Sequence, residues 1–331
     1  MKKNNFPVFI ILIFVILNIC CMERSNPSEL RGEYLGMTAP SIEPKIFAPR
    51  FISTGLSEFG SVFSHGGDEF YYCISGIPFT TIMVTKMVND VWTEPRVIEF
   101  TGKYWDGDMM FSPNGERLYF CSFRPLSGKG EPERDADIWY VERNGDGWSE
   151  PGKLGNQINT DGNEYYPVFA ENGNLYFSST MEGGMGGADI YYCLPEGDGF
   201  SSPVNLGAPV NSRNFEGDLF IAPDESFIIV TVYGRSDSYG SGDLYISFKN
   251  DAGEWSELKN MGNKINSNRN EHCPVISTDG KYFFYSSGKL QFKNYSESIL
   301  KYNDLVKIKN SPGNGLEDIY WIDAKIIEEL R

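Results

Sequence analysis

The sequence predicts an all-β fold, a single β-propeller of four-stranded antiparallel blades, with five blades favoured and six as the alternative. Three observations support this prediction: a motif that occurs five times between Glu58 and the C-terminus, a tight turn inside each copy, and aromatic-rich strands around that turn. The clearest copies are residues 163–179 and 270–287. A period of about 50 residues made of short strands is typical of propeller blades.

Each copy begins with a short apolar strand, then a tight turn, then a second strand rich in aromatic residues. The predicted turns are residues 65–67, 113–115, 171–173, 223–225 and 278–280. Asn-Gly and Asp-Gly adopt the positive φ angles that a two-residue hairpin requires. The fourth turn matches least well, because Glu225 stands where most copies have glycine.

Two further elements complete each copy. A third strand carries an Asp-Ile-Tyr-like sequence at residues 137–140, 189–192, 243–246 and 318–321, with residues 81–84 in the first copy. A fourth element of the Trp-Ser-Glu-Pro type follows at residues 92–95, 148–151, 200–203 and 255–258. Proline is tolerated at a sheet edge, so this element is predicted to be the outer strand.

The fifth copy ends without a fourth element, and residues 43–53 form an unassigned segment before the first copy. We expect this N-terminal segment to supply the missing outer strand, because closure of the propeller would remove an exposed sheet edge. The six-blade alternative requires a degenerate repeat within residues 288–316.

Two parts of the motif carry a resemblance to a known family. The turn sequences Ser112-Pro113-Asn114-Gly115 and Ala222-Pro223-Asp224, with the strands Asp137-Ile138-Trp139 and Asp189-Ile190-Tyr191, are similar to the WD-like β-propeller repeat of TolB-like bacterial envelope proteins. The resemblance covers roughly residues 40–331 and implies the propeller architecture. It implies little about function, because this fold serves many roles.

The N-terminus is typical of an export signal. Lys2 and Lys3 precede an apolar run from Phe6 to Ile19, which is too short to span a bilayer. Cys20 follows directly and resembles the lipidated cysteine of a lipoprotein signal, with Cys21 as the alternative. The predicted organisation is a signal at residues 1–20, a flexible tether at 21–42 and the propeller at 43–331. Simple secretion and an uncleaved anchor are the other interpretations.

Composition limits the partners. The formal net charge of −16 disfavours nucleic acid and favours cationic ligands, metal ions or neutral sugars. Cys73 and Cys121 occupy the same small-residue position in successive copies and are predicted to be packing residues. Cys193 and Cys273 lie on strands of non-adjacent blades, so no internal disulfide is expected.

An acidic residue begins the first strand of every copy. These residues are Glu58, Asp106, Glu164, Glu216 and Glu271. They could form an acidic ring that holds a cation at one mouth of the central channel. The favoured interpretation is structural, with each carboxylate accepting backbone N–H bonds from a neighbouring loop. No cofactor or dedicated metal site is predicted beyond this cation.

The positions just after the acidic residues differ between copies, so they indicate a ligand site better than the repeated acids do. Trp105, Asp108, Tyr165, Asp218 and His272 are predicted to line the channel mouth. Aromatic faces beside carboxylates suit a sugar or a cation. The alternative is that they are ordinary channel-lining residues.

No catalytic residues are assigned. The chain has two histidines and no Gly-x-Ser-x-Gly elbow. We therefore predict a monomeric, non-catalytic platform in the bacterial cell envelope, attached to a membrane by its N-terminal lipid, facing the periplasm or the surface, and binding an envelope protein or a glycan. The alternative is a carbohydrate-active enzyme, a polysaccharide lyase or glycoside hydrolase, using Asp106, Asp108, Asp218 or Glu271 at the channel mouth.

Overall fold

Antiparallel pairing arranges the strands as five small sheets, which form a five-bladed β-propeller. The computed structural model of the chain describes residues 29–76, 78–125, 127, 130–291 and 300–331. The predicted fold class is therefore confirmed, and helices make up only 6% of the described residues. Within residues 288–316, the described part contains the helix Tyr302–Lys309 and no sixth blade.

Each blade has an inner strand beside the channel, then a second, a third and a short outer strand. The first two blades are Ser57–Phe63, Glu69–Ser75, Thr81–Val88 and Arg96–Val97, then Asp106–Phe111, Arg117–Ser122, Asp137–Asn144 and Gly152–Lys153. The next two are Glu164–Phe169, Leu175–Ser179, Asp189–Cys193 and Val204–Asn205, then Phe215–Ile221, Phe227–Tyr233, Gly242–Phe248 and Lys259–Asn260. The fifth blade is Glu271–Ile276, Tyr282–Ser287, Asp318–Asp323 and Lys45–Ile46.

The fifth blade closes the propeller with strands from both ends of the chain. Lys45 lies opposite Trp321 and Ile46 opposite Tyr320 in an antiparallel pair. The Phe47 backbone N–H extends this pairing by donating to the Ile319 carbonyl over 2.8 Å. Closure by the N-terminal segment, as predicted, is confirmed.

The outer strands begin later than the sequence predicts. The Trp-Ser-Glu-Pro element starts in a hairpin extension, where Gly147–Trp148 pairs with the end of the third strand, and the outer strand proper follows Pro151. Proline has no N–H to donate, so the ladder resumes only after it. Trp148 instead turns toward the core, and the guanidinium of Arg143 lies 4.1 Å from the centre of its ring.

Every inner strand carries an irregularity just after its acidic residue, where the register with the second strand shifts. In four blades the residue at this bulge has a left-handed φ: Gly60 (60°), Asp108 (52°), Tyr166 (55°) and Cys273 (55°). A bulge interrupts the alternation of side chains along a strand. Consecutive residues can therefore face the channel.

The segment before the closing strand packs against the propeller. A short 3₁₀-helix, Glu33–Gly36, buries Leu35 completely, and Tyr34 packs edge-on against Tyr282 at 4.7 Å between ring centres. The indole N–H of Trp92 donates to the Gly32 carbonyl over 2.8 Å. Part of the predicted tether thus packs against the propeller, because this polar segment contains the apolar residues Tyr34 and Leu35. The predicted signal and both lipidation candidates, Cys20 and Cys21, lie outside the described residues.

The core lies between the blades and is formed largely by the second and third strands. Phe70, Phe120, Phe177 and Phe283 on the second strands have no exposed surface. Full burial of a side chain of this size contributes roughly 1.5–3 kcal/mol to stability. Of the helices in the described ranges, none is long and apolar enough to cross a membrane.

Candidate functional site

The acidic positions lie at the face where the inner strands begin, here called the entry face. All five side chains are completely buried. In four blades the carboxylate accepts hydrogen bonds from the backbone N–H and the hydroxyl of a Ser or Thr four residues earlier; the donors are Thr54, Thr160, Ser212 and Ser267. Each carboxylate therefore fixes the loop that enters its own blade.

The residue before that hydroxyl ties the loop to the preceding blade. Asn159 accepts from the Ile138 N–H over 2.8 Å and donates to the Ile138 carbonyl over 3.0 Å. Asn211 and Asn266 bond Ile190 and Leu244 in the same way. This role of the asparagines was not predicted, although the repeated Asn-Thr and Asn-Ser pairs are its signal in the sequence.

Burial also shifts the pKa values of three of these carboxyls. Burial raises the pKa of Glu164 to about 7, against the opposing effect of hydrogen bonds from Thr160 and Ser179. Burial likewise raises the pKa values of Glu58 and Glu216. A cation at this ring would have to displace hydrogen bonds that the chain already makes.

Asp106 differs from the other four because it is paired with a cation. The guanidinium of Arg124 donates to Asp106 Oδ1 over 2.7 Å, and the Ser122 hydroxyl donates to the same oxygen over 2.6 Å. Both charged side chains are buried. Burial raises the pKa of Asp106, and Arg124 opposes that shift.

His272 lies between two carboxylates near the entry face. Its Nδ1 is 3.2 Å from Asp218 Oδ2, and its Nε2 is 2.9 Å from Glu317 Oε1. Burial disfavours the imidazolium, but Cys273, Asp218 and Glu317 together raise the pKa of His272 well above its usual value. The imidazole of His272 therefore contacts both carboxylates, one at each ring nitrogen.

Cys273 joins this group because of the bulge. Its Sγ lies 3.0 Å from His272 Nδ1 and 3.5 Å from Asp218 Oδ2, and its backbone N–H donates to Asp218 Oδ2 over 3.1 Å. Burial raises the pKa of the thiol to about 12. Neither Cys273 nor Glu317 was among the predicted site residues. The signal for Cys273 is that it follows a histidine and stands at the bulge position.

The structure places Asp108 and Tyr165 beside this group. Burial and the charge of Asp218 raise the pKa of Asp108 well above its usual value, and His272 opposes the shift. Burial, with the neighbouring Cys121 and Asp108, raises the pKa of Tyr165 to about 12. Four of the five predicted mouth residues, Asp108, Tyr165, Asp218 and His272, thus share one region of the channel.

Trp105, the fifth predicted residue, packs toward its own blade. Its ring meets Phe123 edge-on at 5.6 Å between centres. A Cβ added at Gly107 would come within 3.2 Å of the Trp105 ring. Glycine at position 107 therefore gives space to this indole.

A second feature lies at the opposite face, here called the turn face, where the inner-strand hairpins turn. A cavity of about 870 Å³ is lined by residues from all five blades. Its apolar wall comes from the ends of the inner strands: Phe63, Phe111, Phe169, Ile221 and Ile276. Its lining also carries charge, from Glu171, Asp224, Glu328 and Arg331.

This cavity was not predicted from the sequence, because the predicted site residues are all at variable positions near the acidic residues. Its signal was the large apolar residue that ends the first strand of every copy. A hydrogen bond from Ser226 lowers the pKa of Asp224, so this lining carboxyl is ionised near neutral pH.

Comparisons with known proteins found similar structures, and those described here share 13–14% of their residues with this chain. No protein-family model and no curated protein matches the sequence. A putative TolB from Agrobacterium tumefaciens is 13% identical, with 81% of this chain and 90% of that chain covered and a TM-score of 0.48. TolB from Acinetobacter baumannii is 14% identical, with 81% and 57% covered and a TM-score of 0.46.

An α-L-arabinofuranosidase from Podospora anserina, solved with cellotriose, is 13% identical, with 86% of this chain and 94% of that chain covered and a TM-score of 0.44. The five-bladed fold rests on the strand pairing described above.

Proposed function

We propose that this chain is a cell-envelope β-propeller that binds a protein or glycan partner without chemically changing it. The proposal rests mainly on one observation: carboxylates near the entry face already bind other side chains of the protein through hydrogen bonds or ion pairs. Asp106 is paired with Arg124, Glu271 accepts from Ser267 and Ser287, and Asp218 is bonded to His272 and Cys273. Glycoside cleavage usually requires two carboxyl groups free to flank the substrate.

The turn-face cavity is the proposed binding site. Its volume, about 870 Å³, falls in the range of ligand pockets, which span roughly 300–1,000 Å³. Aromatic and aliphatic side chains form its wall, and charged residues contribute to its lining. This combination suits an apolar protein segment, whose burial supplies the affinity, while the charged groups fix its orientation.

The envelope location is proposed from the N-terminal sequence. A lipid on Cys20 or Cys21 would hold the propeller close to a membrane surface. Fractionation of cells expressing the full chain tests this. Wild type is expected with the membranes, and the double variant Cys20→Ala/Cys21→Ala outside them; an unchanged distribution of the double variant would contradict lipid anchoring.

A direct test uses the full chain against a peptide library and a panel of oligosaccharides, with affinity measured by calorimetry. Thr278 is exposed and lines the cavity, so Thr278→Trp is expected to obstruct it and to weaken binding at least tenfold. Ala252→Trp places the same side chain in an exposed turn outside the cavity and serves as the control. Equal affinities for the two variants would refute the cavity as the binding site.

Carbohydrate cleavage remains the second candidate function, and one observation favours it. Asp108 has a strongly raised pKa and lies close to Asp218, and carboxyls in different environments can divide acid and base roles. Sugar release from the same oligosaccharides tests it. Turnover that Asp108→Asn abolishes and Thr278→Trp leaves intact would replace the platform proposal with an enzymatic one.

A further inference from the structure

Three donor atoms of different elements converge in the channel near the entry face. They are Asp218 Oδ2, His272 Nδ1 and Cys273 Sγ, and all lie within 4.8 Å of one another. We propose that these three atoms bind one divalent transition-metal ion, with zinc as the ion that best fits the donor set. This site goes beyond the proposed partner binding, which concerns the opposite face.

The spacing of the donors supports a shared metal ion. Zinc bonds of about 2.0–2.3 Å in tetrahedral geometry place neighbouring ligand atoms about 3.3–3.7 Å apart. The observed separations are 3.2 Å from nitrogen to oxygen, 3.0 Å from nitrogen to sulfur and 3.5 Å from sulfur to oxygen. Small outward movements of the side chains would therefore produce one face of a zinc tetrahedron.

The backbone explains how two consecutive residues present ligands to one point. In a regular strand the side chains of His272 and Cys273 would point to opposite faces. The left-handed φ of 55° at Cys273, at the shift in register with the second strand, interrupts this alternation. Asp218 arrives from the equivalent position of the neighbouring blade, so the site joins blades four and five.

A second layer of contacts orients the imidazole. Glu317 Oε1 lies 2.9 Å from His272 Nε2, and the Ser57 hydroxyl donates to the other Glu317 oxygen over 3.0 Å. Metal-binding histidines usually donate their second N–H to a carboxylate in this way. On metal binding His272 would release its Nδ1 proton and keep its Nε2–H donating to Glu317, which leaves Nδ1 as the ligand atom.

Asp108 lies near these donors on a third blade, where the charges of Asp218 and His272 act on its carboxyl group in opposite directions. A dication would compensate the charges of Asp218 and a Cys273 thiolate, and its field would also favour the ionised form of Asp108. Nitrogen and sulfur donors favour zinc over calcium or magnesium, which prefer all-oxygen sites. Asp108 or a water molecule would complete the coordination.

The test measures metal binding by the full chain, kept reduced, in competition with a chromophoric zinc chelator. One zinc ion per chain is expected. Cobalt substitution gives a second readout, because thiolate ligation produces a sulfur-to-cobalt charge-transfer band. Cys273→Ser should lose that band and bind zinc at least tenfold more weakly. Cys193→Ser, which alters a buried cysteine on the third strand of blade three, is the matched control and should retain both properties.

Two further variants separate ligand loss from misfolding. Asp218→Asn should also weaken zinc binding, and Glu317→Gln should do so about 10–100-fold through the orientation of His272. Circular dichroism checks that each variant is folded. No saturable zinc binding by wild type, or a charge-transfer band that persists in folded Cys273→Ser, would overturn the proposal. Thr278→Trp should leave zinc binding unchanged, so this test and that of the partner cavity fail independently.

Discussion

Replacement of Phe47 tests the closure of the propeller. Phe47 directly follows the closing strand and is completely buried. Its ring contacts Trp321 and Phe284 of blade five, at 5.1 and 5.2 Å between centres, and Phe63 and Phe70 of blade one, at 6.2 and 5.2 Å. This one side chain therefore connects the last blade to the first.

Phe47→Ala removes these contacts and leaves a cavity between two blades. Truncation of a buried phenylalanine to alanine typically costs about 3–5 kcal/mol. A domain of ordinary stability has about 5–15 kcal/mol in total, so the loss is a large fraction of it. Because the cavity lies at the closure, the variant should also expose the edge of the third strand of blade five to hydrogen exchange.

The assay is denaturant unfolding at 25 °C with hydrogen exchange on the same samples. Leu56→Ala is the control, because Leu56 is 55% exposed and its truncation should cost little. We expect faster exchange at Asp318–Asp323 in Phe47→Ala than in Leu56→Ala. A loss below about 1 kcal/mol, with exchange unchanged in that strand, would refute the view that Phe47 secures the closure.

Three other predictions concern the entry face. Glu164 has a pKa of about 7, so it binds a proton more tightly in the folded than in the unfolded state. The stabilisation from this proton is therefore fully present below about pH 4.5 and is lost as the pH rises to about 7. The stability difference between wild type and Glu164→Gln should fall by up to about 3 kcal/mol over that range in urea titrations; a constant difference would contradict the raised pKa. Arg124→Ala leaves the buried Asp106 carboxylate without its cationic partner, and the free energy of unfolding should fall by about 3–5 kcal/mol. Adding Asp106→Asn in a double variant should restore part of that loss. If nothing is restored, loss of the ion pair is not the cause. Asn211→Ala removes the side-chain partner of the Ile190 N–H and carbonyl, and the free energy of chemical unfolding should fall by about 2–4 kcal/mol. The control is Asn250→Ala at an exposed position, which should lower it by under about 1 kcal/mol. Similar losses for both variants would mean that the Asn211 bonds do not join the blades.

The repeat made most of the fold predictable, because its information is local. The sequences of turns such as 113–115 and 278–280 predict the turn geometry directly. The last copy lacks a fourth element, and this absence predicted that residues 43–53 supply the outer strand. The packing of Tyr34 and Leu35 could not be predicted, because it depends on a surface that distant residues such as Tyr282 and Trp321 form. Local composition indicated only a polar segment.

The candidate site was predictable in part for the same reason. Asp108, Asp218 and His272 stand at variable positions of a regular repeat, so alignment of the copies identified them. Cys273 required knowledge of the bulge, since strand alternation would place it away from His272. Glu317 directly precedes the last strand, at a position where other copies carry Thr80, Ala136 and Ala188, so the motif does not predict a carboxylate there. The turn-face cavity arises from five blades meeting, which no single copy of the motif encodes.

The pairing of Lys45–Ile46 with Asp318–Asp323 also fixes an order of events during synthesis. The ribosome makes the closing strand before any blade and makes its partner after nearly the whole chain. The closing strand, Lys45–Ile46, therefore remains unpaired until the strand Asp318–Asp323 has been synthesised. A chain that ends before Asp318 keeps an unpaired strand near its N-terminus. Quality-control proteases could therefore cleave an incomplete chain at this accessible segment.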